Sequence, residues 1–114
     1  MGRLTTHVLD TANGKPAGGV RIELFNFETD TLLGVTQTNA DGRTDGPLLD
    51  GEKFAVGTYC LTFHVADYFR GLGTEAAGQF LDAVPIVFIV KDANAHYHVP
   101  LLVSPWAYST YRGS

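Results

Sequence analysis

His96 and His98 stand two residues apart in "AHYHVPLLVS" (95–104), and His7 stands in "LTTHVLD" (4–10). On an extended strand, side chains at i and i+2 point to one face, so His96 and His98 share a face. Imidazole changes charge near neutral pH and can act as general base, general acid or metal ligand. A His-x-His pair with a third histidine is also a zinc pattern, although no His-Glu-x-x-His run or cysteine pair accompanies it here. Spacing alone leaves three readings open. The histidines can be structural, which is the commonest fate of such residues. They can do acid–base work, or His7, His96 and His98 can hold a metal in a metal-dependent hydrolase.

Arg43 sits in "DGR", at a turn leading into "TDGPL". An arginine in a loop is usually solvated, but its rigid fork of donors also suits a planar, carbonyl-rich or anionic ligand. Near the end of the chain, alternation puts Ser109 and Tyr111 on one face and Thr110 and Arg112 on the other. Tyr111 brings a hydroxyl and a flat ring, both suited to a heterocycle; a plain edge strand would look the same. His64, Trp106 and Tyr108 read as structural, the tryptophan as a packing residue at a Ser-Pro turn. Cys60 lies in "TYCLTFHV", an alternating strand pattern, and reads as a packed thiol rather than a nucleophile.

The elements that must position these groups are mostly strands, because the apolar period is two. In 4–10, Thr5, His7 and Leu9 face one way and Leu4, Thr6 and Val8 the other. Residues 20–28 set Val20, Ile22 and Leu24 against Arg21, Glu23 and Phe25, and 57–65 set Tyr59, Leu61, Phe63 and Val65 against Cys60, Thr62 and His64. Further strands are expected at 32–39, 84–92, 95–104 and 107–113; 84–92 is apolar nearly throughout, as a strand covered on both faces would be. Residues 11–19 and 40–47 are rich in turn formers. One short helix is expected at 66–73, closed by Gly71 and Gly73, with 74–83 a loop. Seven or eight short strands between turn signals predict an all-β sandwich. Its last strand carries no internal lysine or proline, so pairing of that edge with another copy is expected.

The 114 residues fit one domain, 1–114, long enough to bury a core without staples. A formal net charge of −4 and scattered basic residues give no support to nucleic-acid or membrane-surface binding. There is no run of about 18 apolar residues and no apolar signal region. A single cysteine makes no intrachain disulfide, which fits a reducing compartment. A cytoplasmic protein is expected.

"HVLDTANGKPAGGV", "TNADGR" and "HYHVPLLVSPWAYSTYRGS" together resemble the 5-hydroxyisourate hydrolases, the transthyretin-related enzymes of urate breakdown, and the resemblance runs along the whole chain. The closing Tyr-Arg-Gly-Ser is the most specific mark of that family. The resemblance implies a transthyretin-like β-sandwich of two four-stranded sheets with one short helix. It implies a homotetramer, built by edge-to-edge strand pairing into dimers that face each other across a channel, with active sites at the dimer–dimer interface. His7, Arg43, His98 and Tyr111 match the family's functional positions, with no metal or other cofactor; His96 is left a supporting role. The implied reaction is hydrolysis of 5-hydroxyisourate to 2-oxo-4-hydroxy-4-carboxy-5-ureidoimidazoline. His7 or His98 would serve as base and Arg43 as charge stabiliser. Tyr111 would bind substrate, with Ser109 and the Ser114 carboxylate as possible supports. The last strand would line the site. Transthyretin itself, a carrier, resembles this sequence around 101–110 but lacks the catalytic histidines and the Tyr-Arg-Gly-Ser end. A non-catalytic carrier of small aromatic ligands is therefore the competing expectation. Trp106-Ala107 departs from the family pattern, which affects only the shape of a turn.

Overall fold

β1 (Arg3–Asp10) shows at once how the sequence is used: Leu4, Thr6, Val8 and Asp10 are buried, while Thr5, His7 and Leu9 turn to the opposite, half-covered face. The structure is a computed structural model and describes residues 1–113. The remaining elements are β2 (Lys15–Pro16), β3 (Arg21–Asn26), β4 (Thr31–Gln37), β5 (Leu49–Asp50), β6 (Gly57–Phe63), α1 (Val65–Gly71), β7 (Val84–Val90), β8 (His96–Val103) and β9 (Tyr108–Thr110).

The strands form two sheets. The first runs β2-β1-β8-β9, with β5 also pairing with β1; the second runs β4-β3-β6-β7. Residues from the two inner faces make the core. Leu4, Val8, Leu101 and Val103 come from the first sheet and Ile22, Leu61, Phe63 and Val84 from the second, none more than 1% exposed. Each such side chain contributes about 1.5–3 kcal/mol through burial. Phe69 of α1 caps the same cluster. The buried carboxylate of Asp10 is tied to the helix: the Tyr68 hydroxyl donates to Oδ2 at 2.8 Å, and Asn13 donates from its backbone N–H and its side-chain amide.

Three details differ from the sequence expectation. The first sheet has four strands on its main path plus β5, because β2 and β5 are two-residue strands that pair with opposite ends of β1, at Leu9–Pro16 and Leu4–Leu49. Such short pieces carry no readable period. β7 is not covered on both faces; it is an edge strand whose Val87 and Ile89 are exposed. Continuous apolarity does not reveal whether the second cover is the same chain or another. β9 stops at Thr110, opposite Leu101. The next residue on β8 is Pro100, which has no N–H to give, and its carbonyl accepts the Thr110 hydroxyl at 2.7 Å.

β1 and β8 are neighbours and run parallel over eight residue pairs, with Thr5 opposite His98 and Arg3 opposite His96. Parallel strands cannot be joined by a hairpin, and here the connection between them contains the whole second sheet and α1. The N-terminal histidine is thereby carried to the same sheet face as the two C-terminal ones.

Candidate active site

The outer face of β1 and β8 is where the chemistry-bearing side chains meet. A cleft of about 430 Å³ is lined by Arg3, Thr5, Arg43, Thr44, His96 and His98, among others. His7 follows Thr5 on the same face of β1, and its ring is held at the cleft's edge by the loop that carries Arg43.

That loop is built by its own sequence. The Asn39 side-chain oxygen accepts the backbone N–H groups of Asp41 at 2.9 Å and Arg43 at 3.3 Å, an Asx turn. Gly42 has φ of +76°, and a Cβ there would stand 2.4 Å from the Val8 carbonyl oxygen. Only glycine permits both the left-handed conformation and the close approach. The Gly42 carbonyl in turn accepts the Val8 N–H at 2.8 Å, and His7 and Arg43 form an isolated bridge. The "DGR" motif therefore docks against β1 through its glycine. It offers the Asp41 carbonyl to His7, whose Nε2–H donates to it at 3.0 Å, and sets the Arg43 guanidinium beside both His7 and His98.

The electrostatics reflect that placement. Burial first, and the Arg43 cation second, push the His7 imidazolium below its ordinary value, against a smaller opposing pull from the Asp41 carbonyl and carboxylate. His98 is lowered by burial, then by Arg43, His96 and His7. Both shifts favour the neutral ring, which carries a basic nitrogen. Because a carbonyl only accepts, neutral His7 must be protonated at Nε2 and free at Nδ1. His98 is different. Its Nδ1 lies 2.8 Å from Thr5 Oγ1, which lies 2.7 Å from His96 Nε2. A hydroxyl both donates and accepts, so that contact does not dictate the tautomer.

His98 is also packed from below. The Gly113 N–H donates to the His98 carbonyl at 2.8 Å, and a Cβ on Gly113 would come within 2.5 Å of the imidazole Cδ2. This is a physical reason for glycine in the Tyr-Arg-Gly-Ser stretch. Arg112 lies over the Tyr97 ring, 4.1 Å from its centroid, a cation–π contact that anchors the segment.

Of the residues singled out in the sequence, the structure brings His7, Arg43 and His98 together, with His96 beside them. Tyr111 is not with them. It is 60% exposed and lines a separate cleft of about 260 Å³ with Ile86, Val87, Ile89, Tyr97 and Val99, along the edges of β7 and β9. Ser109 pairs with Leu102 near the far end of β8, away from the histidines. Ser114 lies outside the described residues. Among the described residues, no group of three or more histidine, cysteine or acidic side chains is arranged to hold a metal ion. Thr5 is the residue that sequence reasoning passed over. Alternation placed it on the His7 face, but only the parallel register sets its hydroxyl between His96 and His98.

Comparison with known proteins agrees with this architecture. The family model described as "HIUase/Transthyretin family" matches residues 4–113, and the chain belongs to that family. It is 57% identical to 5-hydroxyisourate hydrolase 2 of Rhizobium meliloti over 99% of this chain and 97% of that protein. Among solved structures it resembles Klebsiella pneumoniae 5-hydroxyisourate hydrolase, with 35% identity, a TM-score of 0.84 and coverage of 98% and 99% of the two chains. An (S)-allantoin synthase is similar with 51% identity and a TM-score of 0.93; there the match covers 99% of this chain but 44% of the larger one. The fold is the transthyretin-like β-sandwich.

Proposed function

We propose that the protein hydrolyses 5-hydroxyisourate, with water opening the six-membered ring to give 2-oxo-4-hydroxy-4-carboxy-5-ureidoimidazoline, a step in urate degradation. The observation that carries this reading is the set of histidines and one arginine gathered where the Arg43 loop meets one sheet face. Clustering such groups in a cleft is unfavourable for a plain ligand tunnel and suits catalysis. The near full-length likeness to hydrolases of this name supports the substrate.

In this mechanism the reaction is metal-independent hydrolysis of a cyclic amide. A neutral imidazole takes a proton from water as its oxygen attacks a ring carbonyl; an imidazole poised near operating pH suits that step. Arg43 stabilises the negative charge that develops on the carbonyl oxygen and, with His7, orients the planar ring. Tyr111 contributes to substrate binding from another copy of the chain. That assignment is supported by its distance from the histidine cleft within one chain and by its exposure beside the apolar, unpaired edge of β7. The working form is then a homotetramer of single-domain chains with sites at the dimer–dimer interface. The lone cysteine fits work in the cytoplasm.

The test is an ultraviolet assay in which urate oxidase generates 5-hydroxyisourate from urate in the cuvette. Its decay is followed with and without the protein, and the spontaneous decay is subtracted. Acceleration is expected, lost by roughly 10²–10⁴-fold in His98→Ala and unchanged by exhaustive chelation. A folded assembly that gives no acceleration would overturn the hydrolase reading in favour of a carrier of small aromatic ligands.

A further inference from the structure

The Thr5 hydroxyl sits between two imidazoles, 2.7 Å from His96 Nε2 and 2.8 Å from His98 Nδ1. It has one proton to give and lone pairs to accept with. When the Thr5 proton goes to one ring, the other ring must donate to the hydroxyl, which leaves two neutral arrangements. In one, His98 Nδ1–H donates to Thr5 and Thr5 donates to His96 Nε2. In the other, His96 Nε2–H donates to Thr5 and Thr5 donates to His98 Nδ1. The first leaves His98 Nε2 as a lone pair and the second leaves it as an N–H. The tautomer of His98, and so its role as base or acid, is tied to that of His96 through one hydroxyl.

We propose that Thr5 and His96 are positioning residues that complete a proton relay with His98. The inference rests on the hydrolase reading. As water attacks the ring carbonyl carbon, its proton goes to His98 Nε2 and the C–O bond forms. The Nδ1 proton of His98 passes to Thr5 Oγ1, whose own proton passes to His96 Nε2. His98 is neutral again, now carrying its proton at Nε2. When the carbon–nitrogen bond breaks, that proton goes to the departing ring nitrogen. His98 Nδ1 recovers a proton from Thr5, and Thr5 recovers one from His96. One water is consumed and every protein group returns to its starting state.

The surroundings favour such a route. Arg43 and His7 face His98, so an imidazolium held there would stand beside a cation. The described residues lining the cleft include no carboxylate to accept a proton, and His96 is the other base. The charges near His96 are Arg3, its register partner on β1, and Arg112, whose Nη2 lies 3.5 Å from the His96 carbonyl oxygen; both arginines are exposed to water, which screens them. His7 cannot serve in the same way, because its Nε2 is committed to a carbonyl that never donates.

Three variants test the relay. As single substitutions, Thr5→Val keeps the branched shape that a strand accepts but removes the hydroxyl, Thr5→Ser keeps the hydroxyl, and His96→Gln removes the terminal base; a double variant joins them. Thr5→Val and His96→Gln are each expected to lower kcat by roughly 10- to 100-fold with little change in KM, a share of what acid–base catalysis contributes. Thr5→Ser should stay within about 3-fold of wild type. The Thr5→Val/His96→Gln double variant should be no worse than the poorer single, as for groups acting as a unit. Nitrogen NMR of 15N-histidine-labelled protein gives a readout independent of turnover. His7 is expected as a fixed Nε2–H tautomer, while His96 and His98 exchange between tautomers in wild type and lose that coupling in Thr5→Val. Equal losses in Thr5→Val and Thr5→Ser, additive losses in the double variant, or His98 signals indifferent to Thr5→Val would overturn the relay. Absence of any acceleration by wild type would instead overturn the hydrolase reading, and the tautomer spectra would then decide the coupling alone.

Discussion

The histidines of the sandwich keep opposite company on its first sheet and just past β6 of its second. Between β6 and α1, His64 Nε2 lies 2.5 Å from a Glu23 carboxylate oxygen, and Arg21 lies 3.6 Å from the same carboxylate. That imidazole has an anionic partner and lines neither the histidine cleft nor the cleft beside β7. On the first sheet, His7 and His98 lie beside Arg43, and the groups contacting them are a carbonyl and a hydroxyl. The residue type is the same; the neighbours differ in sign. A carboxylate partner holds a histidine in a structural hydrogen bond. A cation and partial burial keep it neutral, with a nitrogen free to take a proton.

The contrast is broken most severely at Arg43. Arg43→Glu replaces the cation with an anion, and turnover in the coupled assay should fall by at least about 100-fold, as for loss of an oxyanion-stabilising donor. The titration midpoints of His7 and His98, read by NMR, should rise. Both are held down in part by Arg43, and removing a positive neighbour favours the protonated form. The acid limb of the pH–activity profile should then move to higher pH. Wild-type turnover with unmoved histidine titrations would separate Arg43 from the site.

A smaller loss is expected from Gly113→Ala. The added Cβ meets the His98 ring rather than solvent, so the imidazole must shift by a few tenths of an ångström or more. Turnover should drop by roughly 10-fold, in line with the sensitivity of reacting geometry to small displacements, while thermal stability changes little. An unchanged kcat would show that His98 tolerates the displacement. The smallest effect should come from the histidine between β6 and α1. His64→Gln should leave turnover within about 2-fold of wild type and cost about 1 kcal/mol or less of stability, measured by denaturant unfolding. A large loss of activity there would erase the distinction between the two histidine environments.

Much of the sandwich was readable in one dimension because strand faces follow a period of two. The sides of β1, β3 and β6 come directly from alternation of apolar and polar residues. α1 was readable from its apolar cluster and closing glycines. The exposed face of β7 was not, because Val87 and Ile89 are apolar whether they meet another chain or water. Within the candidate site, His7, Arg43 and His98 stood out by residue type and by family resemblance, and the same reasoning grouped Tyr111 with them. Within one chain Tyr111 lies elsewhere, beside β7.

By itself the sequence determined which side chains can do chemistry and which face of each strand they occupy, because those properties are set by residue type and by the two-residue repeat of extended backbone. It also determined the turn at Gly42, whose conformation is local. Tertiary structure alone decided that β1 lies parallel to β8 in the register that sets Thr5 opposite His98. Register is a relation between segments more than 90 residues apart, fixed by burial of both inner faces together. No local pattern in either strand encodes it.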